Sequence, residues 1–336
     1  MILQAAYLGL TIYRNGGFEL LTVNPFAGAN PYTMLGYGAL YAPCMRQTQG
    51  VTPYAEYTCQ PHYTGYRAAN GSCTYYDNVF SLCAPRTGDM ALYPNREKPG
   101  QWYRMFTSMI MVNGVADYIL NFLLVWRMGF PLEKSIGWWR MALLFIFSGI
   151  CASMSHLLFN GESGPSLFFL FFFFHRGYPS RHADWERTWT EHCGIGNTVT
   201  TMGASVTYCT IGFALIDMYS NYHLLFRHRH AQARIWLLLL VAMCIGLLPM
   251  LSNFANLGAL FGGVLGGAML QRPVAFRESD LRRKRVLRYV AGIVFLIGMA
   301  AGLGLFFAGK DASGCTWCQW IDCIPANSSW CGNRVT

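Results

Sequence analysis

Charge is what this chain lacks. Only 12% of its 336 residues are Asp, Glu, Lys or Arg, against about a quarter in a soluble domain. With 53% hydrophobic residues and a mean hydropathy of +0.26, this excludes an ordinary soluble globule and makes lipid the solvent for much of the chain. Acidic residues are the scarcer kind, 16 against 25 basic ones. The net charge of +9 does not point to nucleic acid, because the basic residues collect in short segments between apolar runs, as membrane topology requires. No phosphate-binding glycine loop, metal-ligand cluster or haem-attachment pattern stands out, so no cofactor and no metal are expected. The N-terminus has neither a basic start nor a small-residue cleavage site, and is not read as a signal peptide.

What is present is a series of apolar stretches. A transmembrane helix needs roughly 20 such residues. Six stretches qualify, at about 105–126, 139–159, 199–220, 234–250, 251–271 and 287–308. Residues 1–13 are also apolar but would reach only ~20 Å of a ~30 Å core. They are read as a short or truncated first span.

Three connections carry the basic residues. The first holds Arg127, Lys134 and Arg140, the second Arg227, Arg229 and Arg234. The third holds Arg272, Arg277, Arg282, Arg283, Lys284, Arg285 and Arg288. They alternate with the other connections, so one topology puts all three in the cytosol. It leaves 14–103, 160–195 and the tail 309–336 on the far side. Acceptor patterns for N-glycosylation at Asn70 and Asn327 fall on that far side. So do two even groups of cysteines, Cys44, Cys59, Cys73 and Cys83, then Cys315, Cys318, Cys323 and Cys331. These are disulfide candidates for an oxidising compartment, with pairing left open. A zinc site at Cys315-x-x-Cys318 lacks a suitable histidine. Cys151, Cys209 and Cys244 lie in spans as small hydrophobes.

Ser205, in Gly203-Ala204-Ser205, lies within an apolar stretch. A serine at that depth is a nucleophile only with a base beside it. The later stretch Asn253-Phe254-Ala255-Asn256-Leu257-Gly258 is where the base belongs, and it offers an amide, which takes no proton near neutral pH.

These motifs resemble the rhomboid family of intramembrane serine proteases over most of the chain. Asn24-Pro25-Phe26-Ala27-Gly28 with Leu35-Gly36 is similar to the segment after the first helix. Tyr103-Arg104 stands where the family has Trp-Arg. Leu132-Glu133 with Gly137, and Arg140 through Ser148-Gly149, resemble the connection into the third helix and that helix. Gly203-Ala204-Ser205 matches the nucleophile motif. Leu248-Pro249, Asn253-Phe254-Ala255 and Gly258 match the run around the catalytic histidine. The cysteine-rich tail is similar to that of seven-helix, plant-like and secretory-pathway members.

The resemblance also locates departures. Asn256 replaces the histidine base and Val206 the glycine after the nucleophile. Asn121 is retained at one oxyanion position, but Asp117 replaces the histidine at the other, and Val112 replaces an upstream histidine. A carboxylate there would repel a forming oxyanion, although a protonated one could donate to it. Losing the base or nucleophile of a serine protease costs on the order of 10⁴–10⁶ in turnover. Ser205 is therefore read as a nucleophile position without chemistry. The bland alternative is packing. Gly203, Ala204 and Ser205 let helices approach closely, as do Gly258, Gly262 and Gly266 with Gly263 and Gly267 on the adjacent face. The simplest expectation is that helix four packs on helix six through these surfaces. The old site then becomes a polar seam of Ser205, Asn256, Asn121 and Asp117. His156 is a weak candidate for a replacement base, since nothing places it beside Ser205. Asp217 reads as an interface residue, and His228 and His230 as solvated or touching headgroups.

The expected fold is an all-α polytopic membrane protein, a rhomboid-like six-helix bundle plus one further helix. A Cys-containing loop (14–103) precedes the core (104–308, with an insert at 160–195), and a Cys-rich tail follows. Leu167 to Phe174 in the insert is read as dipping into the interface, or as docking a partner helix. The resemblance implies a pseudoprotease, not an enzyme, that binds transmembrane clients without cleaving them. Alternatives are an active intramembrane serine protease with a non-standard base, and a structural subunit of a membrane complex. The expected partners are the bilayer and transmembrane client proteins, in the secretory pathway or plasma membrane, with a mitochondrial or plastid membrane as the alternative.

Overall fold

The computed structural model describes residues 1–19, 21, 24–45, 57–59, 75–77, 83, 100–159, 200–222, 228–248, 251–271 and 278–308. The described part is mostly helical. In chain order the helices are α1 (Ile2–Asn15), α2 (Pro31–Gly36), α3 (Arg104–Ile110), α4 (Val115–Leu124), α5 (Phe130–Ile136), α6 (Trp138–Phe159), α7 (Ser205–Ser220), α8 (His228–Ile245), α9 (Asn253–Leu270) and α10 (Glu278–Ala308). A π-helical turn, Val125–Gly129, joins α4 to α5. Two three-residue strands, β1 (Tyr57–Cys59) and β2 (Tyr75–Asp77), pair antiparallel in the N-terminal loop.

Among the described residues, four helical stretches are long and apolar enough to cross a membrane: 115–136, 138–158, 253–270 and 278–307. The first corrects a sequence expectation. The apolar run at 105–126 is two helices, α3 and α4, separated at 111–114. The spanning stretch starts after that break and continues helically through Arg127 and Lys134. It ends at Gly137, whose φ of 95° is open to glycine but strained for other residues, so α6 starts in a new direction.

The break is filled by the loop Asn24–Ala29. Val115 N–H donates to the Ala27 carbonyl at 3.2 Å and Ala116 N–H to the Phe26 carbonyl at 3.1 Å. These are first-turn donors that no helix can satisfy internally. Asn24 is fully buried. Its amide donates to the carbonyls of Ala29 (2.8 Å) and Asn113 (2.9 Å), and its oxygen accepts from Phe26 N–H. A Cβ on Gly28 would lie 2.0 Å from the Asn113 oxygen. So the Asn24-Pro-Phe-Ala-Gly28 motif acts as a backbone cap for α4.

Arg104 fixes the same region from outside. It is 1% exposed. Its guanidinium donates to the carbonyls of Leu35 (2.7 Å), Ala39 (2.8 Å) and Cys83 (3.0 Å), and to Gln101 Oε1. Gln101 also donates to the Cys83 carbonyl, and a disulfide joins Cys83 to Cys44. Cys59 stands in β1. Cys73, Cys315, Cys318, Cys323, Cys331, Asn70, Asn327 and the 160–195 insert lie outside the described residues.

At the centre, α9 packs between α6 and α7. The two glycine faces serve different neighbours, which corrects the expectation that both meet helix four. Gly258 and Gly262 face α6, where an added Cβ would lie 2.5 Å from the Cys151 oxygen and 2.7 Å from Ser148 Cα. Gly263 faces α7, 2.4 Å from the Cys209 oxygen, and Gly212 on α7 meets the Leu260 oxygen at 2.3 Å. Ser148 adds a hydrogen bond to the Ala259 carbonyl at 2.7 Å. With no hydrophobic drive between helices in lipid, this approach of backbones supplies the cohesion.

Gly263→Leu should therefore destabilise the protein in mild detergent by about 1–3 kcal/mol or prevent folding. Gly304→Ala, which opens onto free space, should stay within about 0.5 kcal/mol; thermal unfolding of both decides. Arg104→Ala takes the guanidinium donor from the buried Leu35 and Ala39 carbonyls and should cost on the order of 3 kcal/mol in the same unfolding measurement.

Candidate functional site

Ser205 is the first residue of α7 and is buried. The segment before it is tied down on three sides. Thr200 bridges to Leu40, and Met202 N–H donates to the Ser108 carbonyl at 2.8 Å. Gly203 sits where a Cβ would lie 2.3 Å from the Met111 oxygen. Gln4 of α1 spans this junction, its amide donating to the Met109 and Gly203 carbonyls, both at 3.3 Å. Reading the sequence missed Gln4. The available signal was a lone amide in an apolar helix, which calls for a partner. α1 is thus part of the construction around Ser205, with Gln4, Leu8 and Thr11 buried and Ile2, Leu3, Leu10 and Tyr13 exposed.

Asp117 lies in the first turn of α4. Both its oxygens accept hydrogen bonds. Oδ1 takes one from the Asn121 amide at 2.7 Å; Oδ2 takes the Asn113 backbone N–H at 3.1 Å and the Asn113 amide at 3.3 Å. Three N–H donors and a helix N-terminus suit an acceptor-only carboxylate. Asn121 also accepts from Thr207 Oγ1 of α7 at 2.8 Å. Its amide therefore has one hydrogen committed to Asp117, where an oxyanion site needs free donors.

The expected seam is divided. Thr207, not Ser205, reaches the Asp117–Asn121 pair. Two residues apart on a helix are about 200° apart around its axis, so Ser205 points to roughly the opposite side of α7. Asn256 belongs to a separate group. Its amide donates to Asn253 Oδ1 at 3.4 Å, and both asparagines are buried. A Cβ on Gly246 would lie 1.9 Å from Asn253 Oδ1 and 2.7 Å from Asn256 Nδ2. Among the described residues, no hydrogen bond joins Ser205 to Asn256. The packed register shows why they are near in the bundle yet unpaired. Gly263 meets Cys209 and Gly267 meets Phe213, which carried back one turn sets Ser205 level with Ala259. Asn256 lies three residues, about 4.5 Å, further along.

His156 is buried on α6 with Nδ1 2.9 Å from Ser252 Oγ. Ser252 is the N-cap of α9 and accepts from Ala255 N–H at 3.3 Å. His156 therefore steadies the start of the helix that carries Asn256. Asp217 accepts from Asn221 at 2.9 Å and Gln271 at 2.8 Å, linking the ends of α7 and α9. His228 and His230 lie at the start of α8, with His230 exposed.

A rhomboid-domain family model matches residues 99–273. Inactive rhomboid protein 1 of Homo sapiens is 23% identical over 240 residues, covering 70% of this chain and 23% of that protein. The Danio rerio protein of the same name is 22% identical with the same coverage. Rhomboid-type serine protease 2 of Emericella nidulans is 23% identical, covering 92% of this chain and 64% of the relative. The chain thus spans about a quarter of the length of the inactive relatives it matches.

Removing the carboxylate should loosen this site more than removing the serine. Asp117→Ala strands three donors and should lower stability by on the order of 3 kcal/mol, against about 1 kcal/mol for Thr207→Val. Ser205→Ala should be close to neutral. Melting temperatures of the three variants in one detergent rank them.

Proposed function

Because the chain belongs to the rhomboid family, we propose that it acts as a rhomboid pseudoprotease, binding transmembrane segments of client proteins without cutting them. The observation that carries this reading is Asn256. It stands where the resemblance places the general base, and its amide has no basic nitrogen to take the serine proton. The divided site supports the same reading. Asn121 spends an amide hydrogen on Asp117, and the carboxylate occupies a position that calls for a donor. Relatives named inactive rhomboid proteins add support. The Cys44–Cys83 disulfide favours an oxidising compartment for the N-terminal loop, hence a secretory-pathway membrane.

The second reading, an active protease, draws on the retained Ser205 at a helix N-terminus and on the relative named a serine protease. It needs a base. His156, the candidate from sequence, has its Nδ1 at Ser252. The third reading, a structural subunit, uses the same helices as scaffold.

Wild type should leave a model transmembrane substrate intact and resist a fluorophosphonate probe, while mild-detergent pull-down of the tagged chain retains specific membrane proteins. Cleavage by wild type that disappears in Ser205→Ala would establish the protease reading instead. Asn256→His is expected to remain at least 10³-fold below an active serine protease, because the Asp117 carboxylate stays in place. A stoichiometric complex that survives detergent would favour the structural subunit.

A further inference from the structure

The final helix is longer than a bilayer needs. α10 has 31 residues, Glu278–Ala308, a rise of about 46 Å against a core of about 30 Å. Residues 289–308 alone account for about 30 Å. The excess is the N-terminal part, and it is highly basic.

The basic side chains there divide by direction. Lys284 pairs with Asp280 at 3.0 Å and donates to Asn221 at 3.0 Å. Arg288 donates to the Gln271 carbonyl at 2.8 Å. Arg283 donates to the Tyr219 hydroxyl at 3.2 Å and lies over its ring. These three hold α10 to the ends of α7 and α9. Arg282 and Arg285 are exposed, and among the described residues neither has an ion pair or hydrogen bond.

At 100° per residue, Arg282 and Arg285 share one outward stripe with Val286, Tyr289, Ile293, Leu296 and Ile297. The last five are all exposed. Read from the N-terminus, that stripe passes from guanidinium to phenol to aliphatic, the order met on moving from headgroups into hydrocarbon. With Tyr289 at the core edge, Arg285 lies about 6 Å and Arg282 about 10 Å beyond it, within the headgroup layer. The α6 start is on the same end of the bundle. Arg140 donates to the Leu270 carbonyl and lies against Trp139, which is exposed together with Trp138. An aromatic and basic rim of this kind marks the bilayer interface.

We propose that Arg282 and Arg285 form a binding site for the phosphate of an anionic phospholipid, held at headgroup depth on the lipid-facing side of α10. Two guanidiniums on adjacent turns provide forked donors to phosphate oxygens. Among the described residues their charge meets no counter-charge, and the quaternary ammonium of a zwitterionic headgroup offsets its own phosphate, whereas the phosphate of phosphatidylglycerol has no such internal partner. The site is independent of whether the chain cleaves or only binds other membrane proteins.

The test uses the full chain in nanodiscs of phosphatidylcholine, with and without phosphatidylglycerol, whose phosphate is its only charge. The readouts are melting temperature and bound lipid counted by native mass spectrometry. Phosphatidylglycerol should raise the melting temperature of wild type and be retained preferentially. The double variant Arg282→Gln, Arg285→Gln should lose that preference by on the order of tenfold, while Arg229→Gln, Arg234→Gln on α8 keeps it. Equal behaviour of wild type in the two lipid mixtures overturns the proposal. So does an equal loss in the α8 variant, which would make the effect one of overall charge. An equal stabilisation by inorganic phosphate in phosphatidylcholine nanodiscs also overturns it, since the anion would then be taken from solution.

Discussion

In hydrocarbon, a backbone N–H or carbonyl without a partner costs several kcal/mol, so any interruption of a helix must be repaired by the protein itself. The gap at 111–114 is such an interruption, and much of the described structure exists to repair it. The loop Asn24–Ala29 receives the first donors of α4. Gln4 and Met202 meet groups at its other side. Arg104 in turn holds the segments on which that loop depends, through the carbonyls of Leu35, Ala39 and Cys83. The N-terminal segment is therefore part of the membrane core's construction.

The region around Ser205 follows from this repair. A turn packed against a broken helix must be made of small residues, and Gly203 is required by the Met111 carbonyl alone. Ser205 fits that seam with or without catalysis. Position 256 is packed too, with Asn256 buried close to Gly246. The asparagines at 253 and 256 pair with each other, and the Asp117 carboxylate draws its donors from Asn113 and Asn121. Close helix approach and proton transfer are separable demands on the same few residues, and a fold can keep one without the other.

Arginine takes three roles that a count of charges merges. Arg104 is a buried clamp. Arg140 and Arg288 donate to carbonyls at the C-terminal end of α9, where the helix dipole favours a cation. Arg282 and Arg285 face outward. Arg140, Arg282, Arg285 and Arg288 count alike in a positive-inside reading, yet among the described residues Arg282 and Arg285 have no ion pair or hydrogen bond to hold them to the chain.

Composition and periodicity determined the solvent, the helical class and the approximate positions of most spans, because twenty apolar residues in lipid have few alternatives to a helix. The motifs located Ser205, Asn256, Asn121 and Asp117. They did not show the break at 111–114, because Met111, Val112, Asn113 and Gly114 are apolar or small enough to continue a hydropathy window. Nor did they show that the two glycine rows of α9 meet different helices, since a spacing of four says which face a residue shares and nothing about what lies opposite. The pairing of Cys44 with Cys83, the place of Gln4 against Gly203, the choice of Thr207 over Ser205 as the partner of Asn121, and the meeting of His156 with Ser252 are contacts between residues far apart in sequence. Only tertiary packing decides these, because each depends on the relative rotation and height of two helices, which no single helix encodes.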